Sequence, residues 1–110
     1  MKEEFIYHRA DEYTLIMMGG GEGICAVSID EVEKSCAYIY HMSVEKKHRK
    51  KGYGNKLLKE AENVARNLGA NVVSLLAEKD KFTVDWYKRR GYNSLFSDEK
   101  YITLYKSIKK

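Results

Sequence analysis

Residues 38–69, YIYHMSVEKKHRKKGYGNKLLKEAENVARNLG, most narrow what this chain can fold into. A strand candidate ends at Val44. An amphipathic helix follows, with Leu57, Leu58, Ala61, Val64, Ala65 and Leu68 on one face. Between the two, Arg49, Lys50, Lys51, Gly52, Tyr53 and Gly54 make a basic, glycine-bearing turn that opens directly into the helix. Such a turn gathers unpaired backbone N–H groups at the positive end of a helix dipole, a combination suited to a phosphate. Glycine has no Cβ, so the backbone there can approach an anion closely and adopt positive φ.

The rest of the chain reads as scaffold around this turn. Strand candidates lie at 5–7, 13–18, 24–29 and 36–44, an antiparallel meander with no convincing helix. The glycines at 19–21 and 23 could be taken for a phosphate loop, but no helix follows them, so a hairpin turn is the reading. After the helix at 52–68, Gly69 supplies a C-cap and the apolar run VVSLLA at 72–77 reads as a strand buried on both faces. Strand 36–44, helix 52–68 and strand 72–77 form a βαβ unit, whose two strands should run parallel. A short helix at 82–90 closes at Gly91, and 92–96 with 101–108 make a final strand pair. The expected class is α+β: a mixed, mostly antiparallel twisted sheet around one central βαβ unit.

The 110 residues suffice for one domain with a real core, and residues 1–110 are read as one unit. No apolar run approaches the roughly 20 residues that span a bilayer, and MKEEFIYH has no signal-peptide core. Cys25 and Cys36 fit a reducing compartment and have no metal-ligand spacing, so a cytoplasmic protein without a metal is expected. The formal charge of +4 is concentrated in the central turn, at Lys88, Arg89 and Arg90, and in the tail. A basic patch also draws nucleic acid, but the aromatics form no evident stacking row, which makes that the weaker reading.

Two segments in sequence carry a family resemblance. VEKKHRKKGYG at 44–54 is similar to the strand-end valine and Arg/Gln-x-x-Gly-x-Gly/Ala motif of the GNAT superfamily of N-acetyltransferases. VDWYKRRGY at 84–92 resembles that family's aromatic-Tyr-x-x-x-Gly-aromatic signature. The resemblance implies a GNAT-like sheet that binds acetyl-coenzyme A as acyl donor. The pyrophosphate would lie on the N–H groups of Arg49, Lys50, Lys51, Gly52, Tyr53, Gly54 and Asn55. The pantetheine arm would run along Met42, Ser43 and Val44, where the fourth and fifth strands splay apart. Tyr87 would lie near the sulfur and return a proton to the departing thiolate; packing beside Trp86 is its structural alternative. Asp80 stands where many relatives carry an asparagine near the cofactor, and it could instead cap the short helix. Lys46 and Lys50 depart from the family's usual proline and glycine. Only residues 8–12 stand where relatives have two helices walling the acceptor site, so that side should be open or completed by a second subunit.

Acetyl transfer to a primary amine within a ternary complex, the activity the resemblance implies, needs a neutral amine. A lysine-like amine is neutral about once in ~2,500 molecules at pH 7, a deficit of roughly 4.6 kcal/mol that a base or a desolvating site must offset. His41 is the candidate base. Strict alternation puts it on one face with Ser43, opposite Tyr40 and Met42. A hydrogen-bonded strand histidine is its plain alternative. Glu45 could act through water, and His48 belongs to the phosphate turn. The acceptor could be a protein terminus, a lysine or a small amine. A coenzyme A-binding module without catalysis is the rival function.

Overall fold

A computed structural model describes residues 5–49 and 51–109. Strands β1 (Phe5–Arg9), β2 (Thr14–Met18), β3 (Gly23–Ile29) and β4 (Cys36–Val44) form the antiparallel meander. Helix α1 (Tyr53–Asn67), β5 (Val72–Glu78), α2 (Lys81–Lys88), β6 (Asn93–Ser97) and β7 (Tyr101–Ser107) complete the chain. The seven strands make one sheet in the order β1-β2-β3-β4-β5-β7-β6, with β4 and β5 as its parallel pair. The expected α+β class is what the chain adopts, and both helices end within two residues of their expected bounds. The β2–β3 glycines make a hairpin turn as read, with Gly21 at φ 78° donating to the Met18 carbonyl at 2.9 Å.

One face of the sheet carries the core. Leu57, Leu58, Ala61 and Ala65 of α1 bury the stripe their spacing defines against Ile16, Cys25, Val27, Ile39 and Val73. Glu62 lies on the same face and is only 4% exposed. A buried carboxylate is costly unless paired, and this one accepts from Tyr92 Oη at 2.8 Å and Lys106 Nζ at 3.0 Å. The Lys106 ammonium also lies 5.6 Å from the Tyr92 ring centre.

The other face of the sheet differs from expectation. Val73, Leu75 and Ala77 are buried, but Leu76 of the same strand is 64% exposed. Ser74 on that face is buried, so the second side of the run is open at Leu76 and not along its whole length. The chain turns back between β1 and β2 within residues 10–13, where Ala10 N–H donates to Tyr13 C=O at 2.9 Å. That leaves no length there for a covering helix. Register places Tyr38, Ser74 and Tyr105 side by side on this face, next to Leu76 and Thr103.

Tyr92 makes the fold sensitive to alkali. Burial, then the Glu62 carboxylate, push its phenol well above the ordinary value of 10.0. In the folded state it keeps a proton that the unfolded chain loses above about pH 10, so stability falls as pH rises through that range. The urea midpoint is expected to drop steadily above about pH 10. Tyr92→Phe should flatten that slope, and an unchanged slope in the variant would refute the assignment.

Candidate functional site

The β4–β5 pairing stops early. Cys36, Ala37 and Tyr38 pair with Val72, Val73 and Ser74, and beyond them the strands separate. β5 stays paired with β7 to its end, so the β5-facing edge of β4 over residues 39–44 has no strand beside it. Unpaired strand N–H and C=O groups are a template for an extended ligand.

A bulge re-aims the side chains of that same stretch. Ile24 pairs with Ser43 but Ala26 pairs with Tyr40, so His41 and Met42 together oppose Cys25. His41 takes the strain, with φ 55°, a left-handed conformation uncommon outside glycine and asparagine. The extra residue corrects the expected alternation: Tyr40, not His41, shares a face with Ser43. Met42 and Val44 turn toward the helix side and pack on the core. His41 is exposed, lies edge-on to Tyr40 at 5.0 Å, and its side chain makes no hydrogen bond among the described residues.

Past β4 the chain tightens into one 3₁₀ turn, Lys46–His48, anchored where Glu45 N–H donates to Glu22 C=O at 2.8 Å. Half-buried His48 lies edge-on to Tyr53 at 5.7 Å, supporting the turn from inside. Arg49 N–H donates to Lys46 C=O at 3.3 Å, while its side chain folds back so that Nε donates to Val44 C=O at 3.2 Å. Lys50 lies outside the described residues. Gly52 then takes φ 82° as the N-cap of α1. No side chain caps this helix, and its first turn holds no acid. The first helical bond runs from Lys56 N–H to Gly52 C=O, and the N–H groups of residues 51–55 reach no carbonyl among the described residues. These donors are the ones an α-helix leaves open.

They open into a groove of about 590 Å³ lined by Val44, Arg49, Gly52, Asn55, Trp86 and Arg90, with Phe82 at its rim. Gly54 permits this closeness, because a Cβ there would stand 3.3 Å from Trp86 Cζ2. The Arg90 guanidinium lies 3.8 Å from the Trp86 ring centre and is held by Asn55 Oδ1 at 3.0 Å and Trp86 C=O at 2.9 Å. In the sequence Trp86 stands out only as a packing partner of Tyr87, Arg90 only within a basic group, and Phe82 only as the start of the short helix. The i, i+4 spacing of Phe82 and Trp86 on α2, continued to Arg90 just past its end, is the available signal.

Tyr87 sits on the inner side of α2, edge-on to Trp86 at 4.9 Å and to Tyr92 at 5.6 Å. Its hydroxyl donates toward Met42 Sδ at 3.8 Å, which places it at the separated edge of β4. Burial, with Cys25 nearby, raises its pKa, so the phenol stays protonated. Asp80 is the N-cap of α2 and accepts from Thr83 N–H at 3.0 Å; that bond holds its carboxyl below the usual range. The structure thus brings Met42, Ser43, Val44, Arg49, Gly52, Tyr53, Gly54, Asn55 and Tyr87 to one corner. Asp80 is engaged in a cap, and the bulge takes His41 off the face that carries Ser43.

Residues 2–92 match the Acetyltransferase (GNAT) family. The chain belongs to that family. Solved structures share the fold at low sequence identity. A Klebsiella pneumoniae protein assigned as an acyl-CoA N-acyltransferase superposes with TM-score 0.79 at 18% identity, over 92% of this chain and 76% of its own. The ribosomal-protein-S18-alanine N-acetyltransferase of Escherichia coli gives 0.75 at 14%, over 93% and 73%. N-acetylglutamate synthase from Neisseria gonorrhoeae, complexed with coenzyme A and N-acetyl-glutamate, gives 0.74 at 19%, over 96% and 30%. Within this GNAT chain, the separated strands and the uncapped helix lie where the family motifs were read.

Proposed function

We propose that this GNAT protein is an acetyl-coenzyme A-dependent N-acetyltransferase that moves the acetyl group to a primary amine in a ternary complex. One observation carries the reading: the uncapped N-terminus of α1 and the Val44 end of β4's unpaired edge line one groove, and the Tyr87 hydroxyl reaches Met42 on that same edge. The fit is chemical. A diphosphate needs several N–H donors and positive potential, which residues 51–55, Arg49 and Lys51 supply. An arm with two amides needs a free strand edge, which Met42, Ser43 and Val44 supply. A departing thiolate needs a proton, which the buried Tyr87 phenol keeps available. Acetyl-coenzyme A, when bound, would supply the acetyl thioester and leave as the free thiol.

The amine would arrive over the uncovered face of the sheet, between Tyr38, Tyr40 and Leu76, an approach that is open or closed by a second copy of the chain. Such breadth suits a protein terminus or lysine as readily as a small amine. The reading places the reaction in the cytoplasm. Among the described residues no helix is long and apolar enough to cross a membrane.

Calorimetric titration with acetyl-coenzyme A, paired with thiol release on a panel of peptide termini, lysine peptides, polyamines and amino sugars, tests the proposal. Micromolar binding with turnover on one amine class is the expected result. Binding with no turnover on any of them would leave a coenzyme-binding module, and no binding would refute the donor.

A further inference from the structure

The sheet face turned away from the helices carries almost no charge. Register follows it from Ile6 on β1 through Ile24 to Ser43 on β4, and beyond the seam from Leu76 through Thr103 to Phe96. Among the described residues, no lysine or arginine occupies a strand position on this face. Glu78 is its one carboxylate, and His8 stands on the outermost strand. The chain has 20 Lys and Arg among 110 residues, so the exclusion does not come from a shortage of cations. Large side chains nonetheless meet water here. Ile6, Tyr38, Tyr101 and Tyr105 are exposed, and Phe96 is 65% exposed beside Leu76. A contiguous apolar surface of this kind marks an interaction site.

Chemistry narrows the occupant. A nucleic acid or an anionic membrane needs cations on the face, and a cationic peptide needs more than one carboxylate. What fits is a surface that is itself uncharged and rich in tyrosine and aliphatic groups, and this chain carries one. Against its own copy about a two-fold axis, the face brings no cations together and buries none. Glu78 ends its strand, so it falls on the rim of such a contact. The extent fits as well. The sheet has seven strands, mostly five to seven residues long. At about 4.8 Å between strands and ~3.3 Å per residue, the face covers roughly 500–700 Å² in projection, before side-chain relief is added. Stable interfaces take about 800 Å² from each partner. We propose that two copies of the chain pair through these faces, sheet against sheet about 10 Å apart, with Leu76 and Phe96 buried between them. The partner then forms the outer wall of the acceptor approach past Tyr38 and Leu76. That consequence rests on the reaction proposed above; the pairing does not.

Sedimentation equilibrium across about 0.1–100 μM, on wild type and two variants, decides the matter. Wild type is expected to dimerise with a Kd of ~1 μM or tighter, as a contact of this size permits. Leu76→Lys/Phe96→Lys should weaken association at least about 100-fold, because each lysine enters a two-fold interface twice and meets no counter-charge. Both side chains are exposed within one copy, so the double variant should keep the wild-type circular dichroism and unfolding temperature. Val32→Lys, at a 95% exposed position in the β3–β4 turn and off this face, should leave the Kd within about twofold. A wild type that is monomeric at 100 μM overturns the pairing, whether or not the face then takes up a peptide. A double variant that dimerises as tightly as wild type overturns it too. Neither result touches acetyl-coenzyme A binding, so the donor assignment is judged by its own titration.

Discussion

Gly52→Asp should lower acetyl-coenzyme A affinity by about 10²- to 10³-fold, whereas Gly52→Asn should change it by less than about fivefold. Both side chains enter open space, since a Cβ at this position meets nothing within 4 Å. Both also tolerate left-handed backbone better than other residues, so the φ of 82° strains them alike. What separates them is one negative charge at the mouth of α1. At an effective dielectric near 20, two unit charges ~4 Å apart repel by about 4 kcal/mol. Added salt should narrow the gap between the variants. Their unfolding temperatures should agree within about 3 °C, because a carboxylate at a helix N-terminus is not itself destabilising. If the aspartate variant binds as tightly as the asparagine one, the diphosphate is not held there.

Tyr87→Phe should reduce kcat by about 10²- to 10³-fold and leave the acetyl-coenzyme A Kd within about twofold. The substitution removes only the hydroxyl, whose one polar contact is Met42 Sδ at 3.8 Å, and keeps the ring contacts with Trp86 and Tyr92. Loss of a positioned general acid is typically worth ~10²–10⁴ in rate. The raised pKa adds a second signature: wild-type kcat should hold up to about pH 10 before any decline due to Tyr87 ionisation. Steady-state rates from pH 6 to 10.5 on both proteins check this. An unchanged kcat in the phenylalanine variant would remove the acid role and leave Tyr87 as a packing residue.

The parts of this fold legible in the sequence are those fixed by local period. The stripe of Leu57, Leu58, Ala61 and Ala65 needs only 3.6-residue spacing to be seen, and the glycines after Met18 need only the lack of a following helix. The bulge at His41 was not legible, because no glycine marks it and it exists only in the pairing with β3. Nor was the burial of Glu62. A glutamate on a helix reads as solvated, and its partners Tyr92 and Lys106 lie 30 and 44 residues away. Leu76 misled for the same reason. The run VVSLLA says a strand is apolar, but whether its second face is covered depends on the brief turn at 10–13, far off in sequence. At the site, the backbone half was readable from Gly52 and Gly54. On the side-chain half, the i, i+4 spacing of Trp86 and Arg90 is local, but the bond from Arg90 to Asn55 on α1 spans 35 residues and leaves no local signal.

The sheet is in effect two plates, β1–β4 and β5–β7–β6, joined by a seam of only three residue pairs. Its weakest mechanical direction lies across that seam, where few rungs resist a twisting fluctuation and α1 is the main strap. A molecule lodged along the free edge of β4 therefore acts as a splint, and amides on both plates should exchange more slowly with deuterium once it is in place.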